Sequence, residues 1–178
     1  MSPATSNIVL VGMPGSGKST VGVILAKMMA YVFLDTDILI QSAQNRSLQD
    51  IVDKDGHLAL REIEENTLLS LDIQHHVIAT GGSAVYSEAA MAHLASIGTI
   101  VFLDIDLPEL EHRIKNFGSR GLAKRPEQSL ADLFIEREQL YRKFADITVE
   151  CYGLTQEEVC SKILTEINIC NSNETVES

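Results

Sequence analysis

Residues 12–20 read GMPGSGKST, which fits the spacing G-x-x-x-x-G-K-[ST] and adds a second hydroxyl at Thr20. A chain of phosphates carries several negative charges, so the surface that holds it must turn many backbone N–H groups inward at once. Gly12, Gly15 and Gly17 permit the positive φ angles and close approach that such a loop requires. A helix opening near Lys18 points its positive end at the same anion. Gly15, Ser16 and Gly17 would form the cradle, Lys18 would reach the β and γ phosphates, and Ser19, followed by Thr20, would offer a hydroxyl to Mg²⁺. The flanks suit the loop: residues 7–11 are an apolar, β-branched run, and residues 21–30 place Val21, Leu25 and Met28 at helical spacing.

Two carboxylates, Asp35 and Asp37, close the next apolar run in the sequence FLDTD. Two residues apart on an extended chain, they point to the same side and can share one site. Facing the phosphate loop, one could anchor the waters of a magnesium ion and the other could accept the proton of an attacking hydroxyl. Asp37 reads equally as the cap of the helix that follows, over residues 38–43. Arg61 flanks the apolar stripe Leu60, Ile63, Thr67, Leu71, with Glu64 and Glu65 in reach for ordinary helix ion pairs. Arg137 interrupts an apolar line through Leu130, Phe134, Tyr141 and Phe144. A guanidinium in that line needs an anionic partner, either a carboxylate of the protein or one on a ligand held by two parallel hydrogen bonds.

Apolar runs at 8–11, 31–34, 77–79, 99–103 and 147–149 alternate with helical patterns, which predicts a parallel sheet with helices on both faces. Ligands of such sheets gather at the carboxyl ends of the strands, where Gly12, Asp35, Asp37, Gly81 and Gly82 fall. The 178 residues suit one domain, read as 1–170, with 171–178 a frayed polar tail. A net charge of −11 argues against a nucleic-acid partner, while Arg113, Lys115, Arg120, Lys124 and Arg125 concentrate positive charge in one stretch fit for an anion. No apolar stretch approaches the roughly 20 residues that span a bilayer. Residues 1–6 have neither the basic region nor the apolar core of a signal peptide, so a cytoplasmic protein without a membrane partner is expected. Cys151, Cys160 and Cys170 read as reduced thiols, and His75, His76, His93 and His112 fit no metal spacing.

Together these pieces resemble the shikimate kinases over residues 7 to about 163. The resemblance rests on GSGKST at 15–20, DTD at 35–37, the frame G-x-x-x-x-R-x-x-E from Gly56 to Glu64, ATGG at 79–82, KRP at 124–126 and R-x-x-x-Y from Arg137 to Tyr141. It implies a three-layer α/β/α phosphate-loop kinase fold with a five-stranded parallel sheet, and transfer of the γ-phosphate of ATP to the 3-hydroxyl of shikimate. It assigns Asp37 to the acceptor hydroxyls and the proton of the attacking one, Arg61 and Arg137 to the acceptor carboxylate, and Gly82 to a ring hydroxyl. Ser19 would bind Mg²⁺ directly, with Asp35 acting through water. Lys18 and Arg125 would serve catalysis and the nucleotide, Arg125 from a mobile lid over about 116–126. A monomer acting on a small hydroxy acid is expected. The sequence departs from the family pattern at Ser83, usually glycine, at His57, usually glutamate, and at Leu60, usually phenylalanine. Two other readings stay open: a kinase of another hydroxylated acid or sugar acid, and a nucleotide-binding module that transfers nothing.

Overall fold

The computed structural model describes residues 7–115, 125 and 127–174. Five strands, β1 (Asn7–Val11), β2 (Val32–Asp35), β3 (His76–Ala79), β4 (Gly98–Asp104) and β5 (Ile147–Glu150), form one sheet in the order β2-β3-β1-β4-β5. Every adjacent pair is parallel, with Val9 level with Ile78 on one side and Ile100 on the other. The five apolar runs of the sequence are these strands, displaced at their ends by no more than a residue or two.

Strand alternation sorts the core into two layers. Ile8 and Leu10 of β1 face α1 (Lys18–Met29) and the final helix, packing with Val21, Leu25, Val159 and Ile163. Val9 and Val11 face the other way, into a layer with Leu68, Met91, Leu94, Leu133 and Tyr141. That second layer is built by α4 (His57–Leu69), α5 (Glu88–Ile97) and α7 (Leu130–Phe144); α2 (Thr36–Gln44), α3 (Leu48–Asp55) and α6 (Leu107–Lys115) complete the order before the final helix, α8 (Gln156–Glu174). A small satellite cluster, Ile40, Ile51 and Leu60, fastens α2, α3 and α4 to one another. Leu60, one of the departures from the family pattern, therefore holds the wall of helices beside the carboxyl ends of β2 and β3.

One expectation is adjusted. Helix α8 runs to Glu174, four residues into the stretch read as a frayed tail, because extending a formed helix costs little once its nucleus exists; residues 175–178 lie outside the described residues. The lid expected over 116–126 also lies outside them, apart from Arg125. Among the described residues no helix is long and apolar enough to cross a membrane, and no group of three or more His, Cys, Asp or Glu is placed to hold a metal ion.

Candidate active site

The phosphate loop takes the backbone that its glycines predict: Gly12, Gly15 and Gly17 have φ of 147°, 86° and 98°. Gly17 is the left-handed cap of α1, with no side chain on the first-turn N–H groups. Lys18 Nζ donates to the carbonyls of Gly12 and Met13 at 2.7 and 2.9 Å, holding the cation over the loop. Ser19 Oγ donates to Asp35 Oδ2 at 2.6 Å, so a hydroxyl and a carboxylate, both hard oxygen donors, stand together beside the cradle.

Asp35, and not Asp37, caps α2: its Oδ1 accepts from the N–H groups of Asp37 and Ile38 at 3.0 and 3.3 Å. Helix α2 starts at Thr36, two residues earlier than a cap at Asp37 would require. Asp37 is thereby relieved of capping and lines a cleft of about 690 Å³. Gly15, Gly17, Lys18, Ser19 and Thr20 of the phosphate loop line that cleft together with Asp35, Asp37, Leu60, Glu64, Gly82, Ser83 and Arg137. Ser16 lies behind the loop, buried.

The turn after β3 joins these parts of the cleft. Thr80 donates its N–H and its hydroxyl to the carbonyl of Leu10, and Gly81 donates its N–H to Thr36 Oγ1 at 3.2 Å. Side chains leave no room for a Cβ at the two glycines. An added Cβ at Gly81 would collide with the Glu64 carboxyl and lie 2.9 Å from Asp37 Oδ1; one at Gly82 would lie 2.7 Å from Arg137 Nη1 and from Pro14. Gly82 also receives the Tyr141 hydroxyl on its carbonyl at 2.6 Å.

Arg137 is 1% exposed, the largest fully buried side chain described. Arg61 does not line the cleft itself. Its guanidinium lies flat on the Tyr86 ring, 3.6 Å from the centroid, and the same ring carries Arg137 at 5.4 Å. The helix ion pairs open to Arg61 in the sequence are not among those of the described residues, and its buried Nε has no hydrogen-bond partner there. Arg125 is not brought to the phosphate loop. It pairs with Glu136 Oε2 at 2.9 Å, the carboxylate that α7 presents nearest to it.

Other members of the site were not assigned to it from the sequence, where Arg113 stood only in a positive stretch fit for an anion. Arg113 lines the cleft and lies within 3.4 Å of the carbonyls of Gly15 and Ser16, held by Glu109 one helical turn earlier. Tyr86 carried no signal at all. Glu64 registered only as the end of a motif frame and a helix partner for Arg61, yet it is a 5% exposed carboxyl that accepts the hydroxyl of Ser83. Burial, and then the nearby charge of Asp37, push its pKa up to about 8.

That shift gives a stability prediction. The unfolded chain releases the Glu64 proton near 4.5 and the folded chain near 8, so between those values the native state binds the extra proton and stability falls as pH rises. The decline is at most about 1.4 kcal/mol per pH unit. Melting temperatures of wild type and Glu64→Gln, measured from pH 5 to 8, are expected to show the steeper fall in wild type. Parallel curves would mean that Glu64 ionises normally.

Comparison with known proteins decides the family. The shikimate kinase family model matches residues 14–168. The chain belongs to the shikimate kinase family. It is 36% identical over 162 residues to a shikimate kinase of Sulfurihydrogenibium sp. (strain YO3AOP1), covering 90% of this chain and 97% of that protein. Among solved structures, the shikimate kinase of Acinetobacter baumannii in complex with shikimate is 32% identical with a TM-score of 0.83, over 93% of this chain and 97% of the other. The Aquifex aeolicus shikimate kinase is 36% identical with a TM-score of 0.78, over 91% and 96%. The protein is thus an ATP-dependent phosphotransferase with the expected five-stranded α/β architecture.

Proposed function

We propose that this chain phosphorylates the 3-hydroxyl of shikimate with ATP. The observation that carries the reading is one cleft lined by the phosphate cradle, by Asp37 and by Arg137. An anionic alcohol bound there presents its carboxylate to guanidinium and its hydroxyl to carboxylate, opposite the nucleotide.

On this reading Arg137 and Arg61 grip the acceptor carboxylate, Gly82 lies against its ring, and Asp37 takes the proton of the attacking hydroxyl. The new bond joins the acceptor oxygen to the γ-phosphorus, the bond from that phosphorus to the β–γ bridging oxygen breaks, and ADP leaves with that oxygen. The amides of Gly15, Ser16 and Gly17 and the Lys18 ammonium neutralise charge gathering on the phosphates, the main task in phosphoryl transfer. Ser19 and Asp35 fit Mg²⁺ by their chemistry and would hold it, Ser19 as a direct ligand and Asp35 through water; bound there, it would supply positive charge for the phosphates. Arg125 is the further cation, and its part in nucleotide binding requires exchange of Glu136 for a phosphate.

The test is ADP release by the purified protein with Mg·ATP and shikimate, quinate, gluconate, homoserine or a nucleoside monophosphate. Shikimate is expected to give turnover well above the water background. Turnover with another acceptor alone would overturn the assignment of substrate and keep the kinase; none with any would favour a nucleotide-binding module.

A further inference from the structure

Two guanidinium groups that grip one carboxylate repel each other and must still be held at fixed angles. The usual solution, a protein carboxylate on each, fills the in-plane N–H groups that the ligand needs. Around Arg61 the arrangement is different. The Tyr86 ring supports the flat face of Arg61 at 3.6 Å, and a contact through the face leaves the in-plane donors available. Arg137 Nε donates to the Tyr86 hydroxyl oxygen over a long 3.4 Å. That hydroxyl in turn donates to Glu136 Oε1 at 2.6 Å, which anchors the ring and makes its oxygen a better acceptor. One aromatic side chain, on the short 3₁₀ turn Ala84–Tyr86, thus touches both cations from two different helices.

We infer that Tyr86 is a positioning residue for the acceptor: its ring orients Arg61, its hydroxyl orients Arg137, and together they set the geometry that admits a carboxylate. This deepens the proposed reaction and rests on the reading of the two arginines as the carboxylate grip. Tyr86 itself need not touch the substrate.

The experiment compares wild type, Tyr86→Phe and Tyr86→Leu in steady state, varying shikimate and ATP separately. Loss of the ring is expected to raise the shikimate KM about tenfold, as a desolvated cation–π contact would. Loss of the hydroxyl alone should raise it about threefold. The KM for ATP should change less than about twofold in either variant, a split that general loosening of the fold would not produce. In an Arg61→Ala background, Tyr86→Leu should add less beyond the effect of Tyr86→Phe than it does in wild type, because the ring has then lost the cation closest to it and keeps only the longer contact with Arg137 at 5.4 Å. A folded Tyr86→Leu enzyme with the wild-type shikimate KM would overturn the inference. If that variant does not fold, the decision passes to Tyr86→Phe, where a wild-type KM would do the same. Wild-type turnover of shikimate in the same assay reports separately on the reaction itself, so the two failures are distinguishable.

Discussion

Asp37→Asn is expected to keep ATP binding and to lose about 10²–10⁴ in kcat, the usual weight of a positioned general base. Asparagine preserves the size of the side chain and can still accept a hydrogen bond from the acceptor, but it cannot take a proton. The fold should tolerate the change, because the cap of α2 is Asp35 and not Asp37. A second effect follows from the proximity of Asp37 to Glu64. With the neighbouring negative charge gone, one cause of the raised Glu64 pKa disappears, so Glu64 should ionise at lower pH in the variant. Steady-state kinetics with a nucleotide-binding measurement checks the first effect, and titration of Glu64 by NMR checks the second. Full activity in Asp37→Asn would remove this carboxylate from the mechanism.

Arg137 carries the second large effect, and two substitutions separate its duties. Arg137→Lys retains a positive charge in a 1% exposed position but lacks the planar fork that binds a carboxylate through two hydrogen bonds. Its shikimate KM is expected to rise by about 10²-fold, in the range for disturbing a buried charged hydrogen bond. The KM for ATP should stay near wild type, since the phosphate cradle is built by residues 15–18 and not by Arg137. Arg137→Ala should show the same selectivity and also lose about 2–5 kcal/mol of stability, because it opens a void beside Gly82 and removes the partly buried hydrogen bond to Tyr86. Chemical denaturation gives the stability, and separate variation of the two substrates gives the KM values. Equal rises in both KM values would assign Arg137 a structural part only.

The parts of this site that lie together in the chain were legible in the sequence, and the parts assembled across it were not. The phosphate loop is contiguous, and its glycines announce the backbone they adopt. The inner strands β1, β3 and β4 are buried on both faces, so their continuous apolar runs stand out. Arg137 was visible because a cation in an apolar stripe of α7 is an anomaly that demands a partner. Arg61 was ambiguous, because Glu64 and Glu65 offered local partners and only the fold brings the Tyr86 ring beneath it. The hydroxyl of Tyr86 meets Glu136 and Arg137 fifty and fifty-one residues along the chain, and no periodicity encodes such a meeting. Ser83 was conspicuous as a departure from the family pattern; that its hydroxyl fastens the buried Glu64 became apparent only when β3 and α4 were placed side by side. Arg125 shows the converse, a cation expected at the nucleotide and found on the nearest carboxylate of α7.

The most direct test is a crystal structure of the protein with ADP and shikimate bound together. The expected complex has the shikimate carboxylate within hydrogen-bond distance of both Arg61 and Arg137, and its 3-hydroxyl on Asp37 facing the phosphate loop. Shikimate bound with its carboxylate away from both arginines, or with Asp37 out of reach of any ring hydroxyl, would contradict the account.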